Sequence, residues 1–296
     1  MRVFIIGGFF LMFQAGTVPS LMCEEFPILM SRRAHTGDRY TVECKATQAT
    51  RLVWTIDGKR MPASNEVEVW RYGGAVEILE ASAFGTENRA RVTVTTLTST
   101  KRIDGKESET VDLLPSGAVI IGAWKDGRTV YTVEGQAPAP NVEMVLSRLM
   151  FMEPPTMSLD QAIFGSARPQ AVGASWPVDA KFAAEDLTTR AKTPAKAENI
   201  TGSSALVEAT PEGLKITSEL IATDIQVPLH QWMTVTNGRM RFEAWGIFPT
   251  DHQRRPPRRV VTSIISATGT GDQDGKSYVL ELTYRITGDY TMTPTP

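Results

Sequence analysis

The sequence predicts a mainly β protein, made of two tandem curved antiparallel sheet units with one or two short helices. Dipeptides that favour tight turns, Asp-Gly and Asn-Gly, recur at 57–58, 104–105, 126–127, 237–238 and 274–275. Both dipeptides tolerate the positive φ angles of two-residue hairpin turns. Because β-branched and aromatic runs flank them, we predict hairpins at these positions.

The strand segments themselves are rich in Val, Ile, Thr, Trp and Tyr, and most of them alternate in polarity. Such alternation is typical of antiparallel strands with one buried face. The segments with the clearest pattern are 52–56, 91–95, 129–133, 214–217, 232–236, 239–245 and 278–286.

Helical patterns are few. The best begins at Asn141, a favourable N-cap residue, and places Val142, Val145, Leu146, Leu149 and Met150 on one apolar stripe. Pro154 and Pro155 end this pattern. A shorter helical turn is predicted over 159–164, and 183–191 is a weaker candidate that Thr188-Thr189 and Pro194 argue against.

A weak internal similarity organises the chain. The segment 37–45, GDRYTVECK, is echoed by 173–181, GASWPVDAK, with Gly, Val and Lys identical. Internal similarity at long spacing suggests two copies of one folding unit. We therefore predict a β-rich unit over 30–152 with a helix at its end, a proline-rich linker over 153–169, and a second β-rich unit over 170–296.

The N-terminus has the layout of a secretory signal peptide, predicted over 1–22. Arg2 precedes an apolar run over 3–13 that is too short for a comfortable membrane span. An uncleaved anchor is the alternative. Leu21-Met22 before Cys23 disfavours lipidation, because Met stands where a lipoprotein signal usually has Gly or Ala. We therefore expect a secreted or periplasmic protein of the cell envelope, with no transmembrane span in the mature chain.

The chain has two cysteines, Cys23 and Cys44. In an oxidising compartment they could form a disulfide that holds the first segment on the first strand. Two unpaired thiols, one of them buried in a strand, are the alternative.

No motif in the sequence identifies a catalytic, cofactor-binding or metal-binding residue. His35, His230 and His252 stand at no metal-ligand spacing, and no CxxC, HExxH, GxSxG, Walker or Rossmann motif occurs. Asp272 and Asp274 begin like a calcium loop, but the later ligands are missing, so a hairpin turn is predicted. We predict no cofactor. The formal net charge of −2 provides no field that would steer nucleic acid.

The densest charge cluster is the segment 252–259, HQRRPPRR. Four arginines around two prolines predict a stiff, solvated basic loop. Arginines of such a loop could also bind phosphate, sulfate or lipid headgroups through forked hydrogen bonds. No aromatic residue interleaves with them, which disfavours a nucleic-acid surface.

The chain resembles uncharacterised secreted β-rich proteins of planctomycete-type bacteria, a domain of unknown function. The resemblance rests on Gly37-Asp38-Arg39-Tyr40 and on 171–176, AVGASW, with support from 113–117 and 133–135. Ala174 replaces the usual acid in the second copy. The resemblance implies architecture and location and supplies no activity.

These observations favour a non-catalytic protein that binds a lipid, a hydrophobic ligand or an envelope partner. A structural protein-interaction module is the alternative, and a β-rich hydrolase is the second. An apolar cavity beneath the helix over 142–150 would favour a carrier, whereas a packed core there would favour the interaction module. A hydrolase would need convergent acids, or His230 in a cleft.

Overall fold

The computed structural model describes residues 24–31, 33–251 and 254–295. The predicted signal peptide, Cys23 and His252 lie outside the described residues, so the signal and the Cys23–Cys44 disulfide stay predictions. Cys44 is buried in a strand, and burial raises the pKa of its thiol to about 12.

Long antiparallel strands form one sheet that includes both halves of the chain, and the predicted mainly β class is confirmed. The long strands of the first half are β2 (Arg39–Ile56), β4 (Ser64–Ala81), β5 (Glu87–Ile103), β8 (Val119–Lys125) and β9 (Arg128–Val133). Those of the second half are β12 (Ile200–Thr210), β13 (Gly213–Thr223), β14 (Thr234–Phe248), β15 (Arg258–Gln273) and β16 (Lys276–Pro294), and the short strand β11 (Ser175–Pro177) pairs with β12 at the edge.

Five strands of two residues complete the set. β3 (Lys59–Arg60) pairs with β2, whereas β6 (Lys106–Glu107) and β7 (Val111–Asp112) pair with β5. β1 (Glu25–Phe26) and β10 (Gln170–Ala171) form a separate small ladder.

The spatial order of the long strands and β11 is β11-β12-β13-β14-β15-β16-β2-β4-β5-β8-β9. The last strand of the chain therefore pairs with the first long one, from Tyr278 opposite Ile56 to Pro294 opposite Tyr40. This central ladder joins the two halves by backbone hydrogen bonds. The division into two units stays a prediction.

The internal echo corresponds to a shared local conformation. Gly37 and Gly173 both have positive φ, 92° and 88°, and each is the second residue of a two-residue turn that precedes a strand. The strands that follow differ, because β2 has 18 residues and lies in the centre of the sheet, whereas β11 has 3 residues and lies at its edge.

Four of the five predicted Asp-Gly or Asn-Gly hairpins are confirmed. Asp57, Asp104, Asp126 and Asp274 all have positive φ and are followed by a glycine with positive φ. The prediction for Asn237-Gly238 is wrong, since both residues lie within β14, beside a bulge in its pairing with β15. Gly238 has another role: a β-carbon there would collide with the backbone oxygen of Ile225.

The described part of the chain has three α-helices, where one or two were predicted: α1 (Pro140–Leu149), α2 (Leu159–Phe164) and α3 (Ala180–Thr189). The N-cap prediction for Asn141 is wrong, because Pro140 already occupies the first helical turn and Ala139 is the cap residue. Proline suits that position, where its missing N–H has no intrahelical partner. Asp179 caps α3 by accepting from the N–H groups of Lys181 and Phe182.

All three helices pack on the same side of the sheet, which we call the helix-bearing face. Beneath α1 lies a first core that includes Trp70, Ile78, Leu97 and Ile120, each fully buried. A second core beneath α2 and α3 includes Leu206, Ile216 and Ile225, together with Ile28 and Met30 of the N-terminal segment. The middle of the sheet lies between these two cores.

Candidate functional site

A stripe of half-buried apolar side chains lies on the helix-bearing face between the two cores. We call it the central stripe, and its members are Leu52, Met240, Phe242, Ile265, Leu282, Tyr284 and Ile286. Directly opposed residues of antiparallel strands point to the same face. The pairing places Leu52 opposite Leu282, and aligns Tyr284, Ile265 and Met240 in one row across β16, β15 and β14.

The opposite face of the same strands is mostly polar, although Val53, Ile264 and Val279 also lie on it. On β16 its positions are occupied by residues such as Thr283, Arg285 and Thr287, and ion pairs connect neighbouring strands. Arg258 pairs with Asp289 at 2.8 Å, and Arg241 with Glu219 at 3.0 Å. Such a face is suited to water, and the apolar face is not.

Arg148, at the C-terminal end of α1, places a cation at the border of the stripe. The Arg148 guanidinium lies over the ring of Tyr284, 5.7 Å from its centroid. The Tyr284 hydroxyl donates to Gln48 Oε1 at 2.8 Å, and burial raises its pKa. The Tyr290 hydroxyl donates to the backbone oxygen of Arg148 at 3.4 Å, which positions this end of the helix.

α2 borders the stripe on the other side. The rings of Phe164 and Phe242 stack with centroids 5.2 Å apart and an angle of 15° between planes. A cavity of about 10 Å³ lies next to them, lined by residues that include Met30, Ala244 and Arg259. This volume is close to the minimum for one water molecule, so a lipid would have to lie on the surface of the stripe.

A segment that we call the strap, residues 225–233, borders the third side. Ile225 and Val227 belong to the second core, and the chain then passes closely over glycines of β15. A β-carbon at Gly269 would collide with Leu229, and one at Gly271 would lie 2.5 Å from the backbone oxygen of Trp232. Glycine at these positions therefore permits the close approach.

The strap ends in a cluster of four rings, the aromatic cluster, formed by Trp54, His230, Trp232 and Tyr278. Trp232 stacks on His230 with centroids 5.8 Å apart and an angle of 12°, and meets Tyr278 edge-on at 5.2 Å. Trp54 lies 6.0 to 6.4 Å from the other three rings. His230 is exposed and the other three residues are half-buried.

The fourth side of the stripe is lined by charged side chains, of which Arg255 is buried and the others are half-buried. Arg255 forms an ion pair with Glu87 and lies over the ring of Tyr40, 3.5 Å from its centroid. Arg259 pairs with both oxygens of Asp160, one of them at 2.9 Å. The Arg255 side chain is only 8% exposed, so the predicted solvated basic loop is wrong for it. Burial is tolerated because each guanidinium has a carboxylate partner.

Glu153 belongs to the same network but has no arginine partner at hydrogen-bond distance among the described contacts. Its carboxylate accepts from the Ser158 hydroxyl at 2.9 Å. Burial, with the nearby charge of Asp160 as the second cause, raises its pKa to about 7. Its backbone oxygen accepts from Asn88 at 3.0 Å, and that of Pro154 from Thr86 at 2.8 Å. The start of the predicted linker is therefore fastened to β5.

The features that would identify a hydrolase are only partly present. Glu87, Glu153 and Asp160 do converge, but the first and third are neutralised by arginines. His230 lies in the exposed aromatic cluster, and His35 is exposed beside Asp38, 3.7 Å away. Among the described residues, no group of three or more His, Cys, Asp or Glu side chains could hold a metal ion.

The region beneath α1 is a packed core. Val142, Val145, Leu146, Leu149 and Met150 are all buried in the first core, and a β-carbon at Gly122 would lie 2.6 Å from the terminal methyl of Met150. By the criterion set from the sequence, this packing favours an interaction module over a carrier that holds its ligand beneath this helix.

Sequence reasoning missed the central stripe and the aromatic cluster. The signal for the stripe was present, because 278–286 alternates with its apolar residues at even positions. What the pattern did not show is that the helices cover only the two ends of that face. The aromatic cluster combines residues from 54, 230–232 and 278, which only the fold brings together.

No helix within 24–31, 33–251 and 254–295 is long and apolar enough to cross a membrane. No protein-family model matches the chain, and no curated protein matches it. One similar solved structure is that of lipid–protein interactions in lipovitellin, with 8% sequence identity and a TM-score of 0.41. The alignment covers 88% of this chain and 26% of that chain, so this chain spans about a quarter of the lipovitellin chain. A similarity of this size carries no argument about ligands.

Proposed function

We propose that this protein is a non-catalytic binding protein of the cell envelope that holds an amphiphilic lipid on the central stripe. The observation that carries the proposal is the half-covered apolar area in the middle of the sheet, whose side chains pack against the two cores on either side and still reach water. We base the envelope location on the signal-like pattern of residues 1–22.

The energetic argument rests on the apolar face of β16. Leu282, Tyr284 and Ile286 are only half-buried, so part of their apolar surface meets water. Covering such surface stabilises a complex by roughly 25 cal/mol per Å², or about 0.8 kcal/mol for each CH₂ group of a ligand that is buried. An acyl chain laid across the rows of the stripe gains this free energy without a deep cavity.

Arg148 supplies the polar end of the site. Its guanidinium lies at the border of the stripe and has no carboxylate partner among the ion pairs of the described residues. Guanidinium forms forked, charge-assisted hydrogen bonds with carboxylate and phosphate groups. A ligand with an anionic or zwitterionic head and an acyl chain fits this arrangement of charge and apolar surface.

A structural protein-interaction module is the second candidate, and the packed core beneath α1 favours it. In that case the stripe would be covered by an apolar segment of an envelope protein. Only the lipid-binding candidate requires that the purified chain binds a small amphiphile without a partner protein.

The test is calorimetric titration of the purified chain with palmitate below its critical micelle concentration. Ile265→Glu places a charge in the stripe and should weaken binding at least about tenfold, which corresponds to 1.4 kcal/mol. Ile264→Glu is the matched control, because it adds the same charge to the adjacent residue on the opposite face. There Ile264 lies in a row with Arg241 and Arg285, which would tolerate an acid.

We expect wild type and Ile264→Glu to bind palmitate equally. Absence of binding in wild type would contradict the lipid proposal and leave the interaction module. Equal weakening by both variants would show that the stripe is not the site. Thermal unfolding of both variants checks that they are folded.

A further inference from the structure

The aromatic cluster lies at the tip of the sheet, on the same face of β16 as the central stripe. Tyr278, Leu280 and Leu282 follow one another on that face, and Trp54 stands opposite Leu280. Residues two apart in a strand are separated by about 6.7 Å, so the cluster begins roughly 13 Å from Leu282. Leu280 is buried and lies opposite Gly269, which the strap approaches closely, so the strap separates the cluster from the stripe.

The cluster is held at the tip of the sheet by two linked hairpins. The N–H of Asp57 donates to the Ser277 backbone oxygen at 2.9 Å, and the N–H of Ser277 donates to Asp57 Oδ1 at 2.9 Å. Met61, which is 39% exposed, donates its N–H to the Trp54 backbone oxygen at 2.7 Å. The tip is thus a firm surface on which half-buried rings lie beside exposed charged residues.

The charges of the two hairpins nearly cancel. The exposed acids Asp57, Asp272 and Asp274 stand against the exposed bases Lys59, Arg60 and Lys276, of which Arg60 also pairs with Glu281 at 2.6 Å. A tip with so little net charge neither strongly attracts nor strongly repels a zwitterionic surface. Because Trp and Tyr rings have an apolar body and a polar edge, they are enriched where hydrocarbon meets water at a bilayer interface.

A sugar platform would present an open ring face with polar groups beside it. Here His230 covers one side of Trp232, and the benzo edge of Trp232 packs on Gly271. The His230 side of Trp232 and its benzo edge are therefore not free to stack on a sugar.

From this geometry we infer that the aromatic cluster docks the protein on a zwitterionic phospholipid bilayer. The inference goes beyond the proposed function, which concerns the central stripe alone. Docking itself requires only the cluster and the hairpin tips.

The test uses tryptophan fluorescence of the full chain with vesicles of phosphatidylcholine whose acyl chains are brominated. Bromine quenches only rings that reach the bilayer. The chain has six tryptophans, and none lies in the N-terminal apolar segment, so an inserted N-terminus would not produce the signal. Trp54→Phe combined with Trp232→Phe keeps aromatic rings in place and removes the two reporters. Trp245→Phe, half-buried on the opposite face, is the matched control.

We expect quenching in wild type and in Trp245→Phe, and its loss in the double variant. Quenching that is absent in wild type, or unchanged in the double variant, would overturn the inference. So would binding of a soluble oligosaccharide to the cluster with no quenching by vesicles.

A second variant separates this inference from the proposed function. Ile265→Glu should lose palmitate binding yet keep vesicle quenching, because docking does not use the stripe. If quenching disappears in Ile265→Glu, the signal came from lipid in the stripe, and docking by the cluster is refuted. If palmitate binding fails in wild type while quenching depends on the two tryptophans, docking stands and the proposed function fails.

Discussion

Two regions of the helix-bearing face have the same strand pattern and different surroundings. Beneath α1, the inward residues of β4 and β5 meet a helix, and side chains such as Trp70 and Leu97 are fully buried. In the middle of the sheet, inward residues such as Ile265, Leu282 and Ile286 lie between the helices and remain half-buried. Alternation thus determines which face is apolar, and the cover above it decides whether that face becomes core or an open surface.

The largest expected difference between the two regions is in stability. Leu146→Ala removes a side chain with 0% exposure from the first core and should lower the free energy of unfolding by about 3 kcal/mol. Met144→Ala on the same helix, 39% exposed, should change it by less than about 0.5 kcal/mol. Urea denaturation measures both. If Leu146→Ala lowers the free energy of unfolding by as little as Met144→Ala, then α1 is not packed on the first core as described.

The network of charged side chains that includes Glu153 should make the free energy of unfolding depend on pH. The pKa of Glu153 is raised from 4.5 to about 7, so its ionisation opposes folding. The stabilising effect of its neutral form is complete below pH 4.5 and is lost as the pH rises through 7. Glu153→Gln should therefore be more stable than wild type by about 2–3 kcal/mol at pH 8 and equal to it near pH 4.

Glu153→Gln also retains an oxygen that can accept from Ser158. Denaturation curves of the two proteins at a series of pH values measure the difference. A constant difference across this range would mean that Glu153 does not titrate between these values.

Truncating a side chain of the central stripe should lower the free energy of unfolding by less than truncating one in the first core. Leu282→Ala removes a half-buried side chain, and we expect a loss of about 1 kcal/mol in the free energy of unfolding. The same variant should weaken palmitate binding several-fold. A cost as large as that of Leu146→Ala would show that the stripe is part of a closed core.

The smallest expected effect concerns the polar end of the stripe. Arg148→Gln should weaken palmitate binding by roughly threefold to tenfold, as expected for one exposed charge-assisted contact. Its stability should change by less than about 0.5 kcal/mol. Titration of palmitate and of an uncharged alcohol of equal length is the measurement. If Arg148→Gln weakens the binding of palmitate and of the alcohol equally, the charge of Arg148 has no role in binding.

Local patterns predicted the local structure well. Four aspartates form the turns expected of Asp-Gly: Asp57, Asp104, Asp126 and Asp274. The apolar side of α1 faces the first core, as its spacing predicts, through Val142, Val145, Leu146 and Leu149. Predictions failed where a distant segment changes the role of a residue. Gly238 resembles a turn glycine, but it makes room for the strap, and Arg255 resembles a solvated cation, but Glu87 and Tyr40 bury it.

The sequence by itself determined that this protein is mainly β, where most of its hairpins turn, and that β16 has one apolar and one polar face. These features depend on backbone preferences and on the two-residue period of a strand, which neighbouring residues specify. Only the tertiary structure decided that β16 pairs with β2, that arginines and acids meet across the linker, and that the middle of one face stays open. Those outcomes depend on contacts between segments far apart in the chain, which no local pattern encodes.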